Sequence, residues 1–121
     1  MNSKLLMTLR IVLAIILLVF GSNKFFGFIP MDAPPEGSFM AALIATGYMM
    51  PLIALSEIIP GVLLLINKWK GLALVWLVPI SVNIVFFHLA FDISTIAPAA
   101  LVAILNAVLI YANWNKFKTL F

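Results

Sequence analysis

The chain has 121 residues, of which 65% are hydrophobic and only 9% charged, with a mean hydropathy of +1.24; soluble globular domains carry about 25% charged residues, so the composition excludes that class and points to a membrane protein. A net charge of +3 and a pI of about 9.5 would suggest nucleic acid in a soluble protein, but the basic residues other than Lys24 fall toward one side of the expected membrane, and no nucleic-acid partner is expected. The sequence contains no cysteine, which excludes thiol redox chemistry, disulfides and iron–sulfur ligation from the chain acting alone.

The first apolar segment runs from about residue 5 to 22, with Arg10 near its start and "SNKFFGF" at its end. It begins like a secretory signal peptide, yet no A-x-A-like cleavage site follows, and it is expected to remain as a span. The stretch "PMDAPPEGS" comes next, and its Pro and Gly content predicts an ordered turn or small cap. The apolar region from Phe39 to Ile66 would be roughly 42 Å long as one helix at about 1.5 Å per residue, more than a bilayer core of about 30 Å. Ser38 is therefore expected to cap a short interfacial helix ending near Thr46, with a break at Gly47 and a span over 49–66 that carries Pro51 in its first turn; tilt of a single long helix is the alternative. A third span is expected over 72–89, and a fourth over 97–114, capped by Ser94 or Thr95 with Pro98 in its first turn. Pro60 and Pro79 are the candidate mid-span kinks.

The expected fold is all-α: a single integral membrane domain over 1–121 forming a polytopic four-helix bundle, with the short interfacial helix before its second span. Lys4, Arg10, Lys68, Lys70, Lys116 and Lys118 lie toward one side, and Asp32, Glu36 and Asp92 toward the other together with Lys24. The excess of cations predicts both termini in the cytoplasm, in a bacterial inner membrane. Trp69, Tyr111 and Trp114 mark one interface, and Tyr48 with Phe25, Phe26 and Phe28 the other.

Glu57 lies in "LSEIIPG", roughly 16 Å along its helix from Lys68 and near the bilayer midplane. An unpaired carboxylate at that depth is costly, so a partner is expected. Arg10, Ala14, Leu17, Gly21 and Lys24 share one stripe of the first span. Arg10 is the favoured partner because a guanidinium pairs bidentately, with Lys24 as the alternative; both cations could instead snorkel to the interfaces. The third span carries Ser81, Val85, His88 and Asp92 on one stripe, with Asn83 on an adjacent face. His88 is the only histidine and is read as a hydrogen-bonding residue, and no metal site is expected. The fourth span has a small-residue seam, Ala99, Ala103 and Ala107, and a single midplane amide, Asn106, suited to an interhelical hydrogen bond. Glu57, Asn83, His88 and Asn106 could together line a pocket opening to the outer side. No P-loop, Gly-rich dinucleotide fingerprint, HExxH or paired-cysteine motif is present.

The segments "LRIVLAIILLVFGSNKFF", "SEIIPGVLLLINKWKGLAL" and "PISVNIVFFHLAFD" resemble the DoxX/DoxD-like family of small four-helix bacterial membrane proteins over nearly the whole chain. The resemblance rests on an R…G-x-x-K segment and an E-x-x-x-G-x-L-L-L segment, and it singles out Arg10, Gly21, Lys24, Glu57 and Gly61. An intramembrane ionisable pair without recognised catalytic machinery is read as the Arg/Glu centre of an accessory, ligand-holding or partner-binding subunit. A quinone-linked oxidoreductase subunit, as in DoxD-like members, is the alternative, and a small transporter working as an oligomer is a further one. A quinone or lipid is the implied small molecule; the bilayer, a protein partner or a second copy are the implied associations.

Overall fold

The computed structural model describes residues 2–121, and among them every regular element is helical. The helices are α1 (Ser3–Phe26), α2 (Phe39–Ala45), α3 (Met49–Leu65), α4 (Lys70–Phe91) and α5 (Ile96–Ala112), followed by two short 3-10 turns, Trp114–Lys116 and Lys118–Leu120. Helices α1, α4 and α5, the last counted with the turn before it, are long and apolar enough to cross a membrane. A fourth crossing is made if α2 and α3, bent by 92° at their junction, act as one broken span.

Each boundary has a local cause. At the start of α1 the Asn2 side chain accepts from the backbone N–H of Lys4 at 2.7 Å, satisfying one of the donors a helix leaves free at its N-terminus. The helix stops at Gly27, whose φ of 63° is the left-handed conformation that glycine adopts without penalty. Ser38 caps α2 by accepting from the N–H of Ala41 at 3.2 Å, as its position predicts. Gly47, at φ 80°, then turns the chain into α3. At the far end of α4, neither Ser94 nor Thr95 caps α5. Their hydroxyls instead donate to the Asp92 carboxylate, at 3.1 Å from Ser94 and 2.7 Å from Thr95, charge-assisted bonds that tie both side chains back to the end of α4. These two bonds, Thr95's first, hold the Asp92 carboxyl below the ordinary aspartate value.

The core is formed by Leu13 and Leu17 of α1, Leu64 of α3, Leu74 and Leu77 of α4, and Leu105 and Leu109 of α5. Outward faces stay apolar, with Leu52, Leu55, Val78, Val82 and Ile104 all exposed. Lipid tails are as apolar as these side chains, so hydrophobicity does not press the helices together; close van der Waals fit and internal polar bonds must do so. Helices α1 and α3 meet where they have no side chain. A Cβ placed on Gly21 would lie 2.8 Å from Ile58 and 3.2 Å from the Ala54 carbonyl, and one on Gly61 would lie 3.2 Å from Leu17. Both glycines therefore serve packing, and the pairing shows that α1 and α3 run antiparallel.

Candidate functional site

The approach at Gly21 brings the middle of α3 against the last third of α1. Glu57 is 5% exposed, and its Cβ would stand 3.2 Å from a Cβ on Gly21. Lys24 is one turn beyond Gly21, so its stem is long enough to reach back along the groove. Its ammonium meets Glu57 Oε1 at 2.5 Å, and its side chain keeps 23% exposure against 7% for Glu57. The same ammonium donates to the Phe20 carbonyl at 3.4 Å. Next to it, Asn23 turns its amide to the segment beyond α1: it accepts from the Ile29 N–H at 2.7 Å and donates to the Ile29 carbonyl at 3.3 Å. The end of α1 is thus tied to both α3 and the following loop.

Arg10 is not the partner of Glu57, contrary to the favoured pairing. Antiparallel packing sets Arg10 beside the last turn of α3, where its guanidinium donates to the Leu64 carbonyl and, at 3.3 Å, to that of Leu65. Helix C-termini leave carbonyls without intrahelical partners and carry partial negative charge. Those acceptors lie about two turns nearer to Arg10 than Glu57 does, so the arginine caps α3.

The remaining polar positions do not join the pair. Asn83 is exposed and donates to the Pro79 carbonyl of its own helix at 2.8 Å. His88 is bonded through Nδ1 to the Ile84 carbonyl at 2.8 Å and meets Phe87 edge to face, with centroids 5.3 Å apart. Asn106, 3% exposed, accepts from the Ser81 hydroxyl and donates to the Leu74 carbonyl, both at 3.0 Å. It is the interhelical amide its depth predicts. Among the described residues, no buried side-chain nitrogen or oxygen is left without a hydrogen-bond partner.

The shared pocket expected for Glu57, Asn83, His88 and Asn106 is therefore not formed. A cleft of about 560 Å³ opens instead between α4 and α5, and of those four residues it takes in Asn106 alone, over walls that include Val82, Phe86, Ala103, Ala107 and Trp114. The alanine seam is divided accordingly: Ala99 is 3% exposed, whereas Ala103 and Ala107 line the cleft. A strict four-residue repeat drifts by about 40° per step around a 3.6-residue helix, so the stripe leaves the buried face that Ala99, Val102, Leu105 and Leu109 follow.

Asn2, Asn23 and the capping role of Arg10 were not anticipated. Depth counting could have found the last, since an antiparallel neighbour puts Arg10 level with the end of α3.

The sequence profile of the DoxX family matches residues 5–90. The chain belongs to the DoxX family. No curated protein and no solved structure matches it. The DoxX match takes in Arg10, Gly21, Lys24, Glu57 and Gly61, and with them the whole α1/α3 contact; α5 and its Asn106 lie beyond the matched residues.

Proposed function

We propose that this DoxX-family protein is an accessory membrane subunit that holds a partner protein or a small apolar molecule, with the Lys24–Glu57 pair fixing the register of the two helices that present it. The observation that supports this reading is the closure of the pair. Glu57 is buried against Gly21 and answered by Lys24, and Arg10, Asn23 and Asn106 are each engaged with backbone. Such an arrangement suits a registry device, the best-attested use of a buried polar contact, better than a group that must exchange protons during turnover. The bacterial inner membrane with cytoplasmic termini is part of the same reading, supported by Lys4, Arg10, Lys68, Lys70, Lys116 and Lys118 at the end where the chain starts and finishes.

The test is intact-mass measurement, with lipid extraction, on the full chain gently solubilised from its native membrane, for wild type and the Lys24→Met/Glu57→Leu double variant in parallel. A protein partner or apolar molecule retained in stoichiometric amount by wild type and depleted in the folded double variant is the expected result. Quinone reduction by the purified chain or its complex, abolished by Glu57→Gln, would overturn the accessory reading in favour of the oxidoreductase one. Proteoliposome flux that depends on Glu57 would overturn it in favour of transport.

A further inference from the structure

We propose that the α4/α5 cleft is a binding site for one anionic phospholipid of the leaflet on the side of the termini, with an acyl chain lying along the cleft and the phosphate at Lys116. The cleft is open to the bilayer, and its walls are apolar. The amide on its floor is bonded across the helices, Asn106 accepting from Ser81 and donating to the Leu74 carbonyl, and the apolar walls around it suit a hydrocarbon chain. Leaving it empty would forfeit the dispersion contacts of its lining.

What distinguishes the site from any lipid-facing groove is its mouth. Tyr111 and Trp114 stand there, the residue types that settle at headgroup level. The chain then makes a 3-10 turn, Trp114–Lys116, pinned by Phe117, which is 4% exposed. That turn lays the Lys116 stem over Gly71 at the start of α4, its Cδ 3.8 Å from where a Cβ would be. The Lys116 stem therefore spans from the end of α5 to the start of α4, two residues beyond the Trp114 that lines the cleft. Lys68, Lys70 and Lys118 are its neighbours in the adjoining turns, while Asp32, Glu36 and Asp92 belong to the opposite end and Glu57 is paired inside. Basic pockets between membrane helices capture anionic headgroups in this way. The proposal does not rest on the reading of the Lys24–Glu57 pair, and its variants leave α1 and α3 untouched, so either can fail alone.

The test compares phosphatidylglycerol with phosphatidylcholine added to the delipidated full chain, read by bound-lipid mass and by the shift in thermal unfolding, for wild type, Lys116→Gln and Ala107→Trp. Ala107 and Lys116 are both exposed, so the variants are expected to fold, and circular dichroism checks that they do. The expected result is one phosphatidylglycerol held in preference to phosphatidylcholine, about five-fold weaker in Lys116→Gln, as one lysine beside an anionic surface contributes, and lost in Ala107→Trp, whose ring fills the cleft. Equal binding of the two lipids, or phosphatidylglycerol retained undiminished by either variant, would overturn the proposal. So would a dimer that Ala107→Trp dissociates, because the cleft would then belong to a second copy of the chain.

Discussion

The two halves of the bundle solve the same problem in opposite ways. Between α1 and α3, two glycines bring the backbones together and one ion pair crosses the contact, with Glu57 7% exposed at the side chain. Between α4 and α5, small residues are also available, but Ala103 and Ala107 look into an open cleft and the crossing bonds are neutral, Ser81 to Asn106 and Asn106 to Leu74. In a solvent as apolar as the side chains, closeness has to come from shape and polar bonds. The first half has both in register, and the second has the bonds while part of its small-residue stripe points away. Small residues on a membrane helix thus mark a tight contact only where their spacing follows the buried face.

The largest test of this contrast breaks the ion pair. Lys24→Met should lower stability by about 3–5 kcal/mol, because it strands a buried carboxylate. Glu57→Leu should cost less, since the freed lysine can extend toward water. The double variant should recover most of the loss, and reversible denaturant titration in detergent measures all three; additive single effects would mean that the charges do not interact in the folded protein. Next in size, Gly21→Ala forces a methyl to within 2.8 Å of Ile58 and is expected to cost about 1–3 kcal/mol, whereas Ala107→Leu on the cleft wall should stay within about 0.5 kcal/mol. Equal effects at the two sites in the same titration would erase the distinction between the halves.

Smaller still is Asn106→Leu, which removes the neutral crossing bonds of α4 and α5; interhelical hydrogen bonds in membranes average about 0.6 kcal/mol and reach about 1.7. A loss as large as that of Lys24→Met would show that α4 and α5 depend on polar contact as strongly as α1 and α3 do. The smallest effect concerns the turn that joins α4 to α5. The Thr95 and Ser94 bonds lower the folded Asp92 pKa, so their contribution is fully present above the ordinary aspartate value of about 3.9 and is lost as pH falls through the lower folded value. Amide exchange in residues 92–96 should accelerate on acidification in wild type and be pH-independent, beyond the intrinsic rate, in Asp92→Asn.

The order of the helices, the break at Gly47 and the cap at Ser38 were legible because each depends on neighbours in sequence: an apolar run too long for one crossing, a glycine free to adopt φ 80°, a hydroxyl three residues before a free N–H. Membership in the DoxX family was legible for the same reason, from motifs that lie within residues 5–90. So was the need of Glu57 for a cation, which follows from its depth alone. Which cation answers it was not, because Arg10 and Lys24 share a stripe and both can reach along it. That choice was made by the antiparallel contact at Gly21 and Gly61, which sets Lys24 one turn from Glu57 and Arg10 against the C-terminal carbonyls of Leu64 and Leu65. The same holds for Asn106, the split alanine seam and the α4/α5 cleft: residue types and depths can be counted along the chain, but who meets whom is a distance between helices, and only their packing determines it.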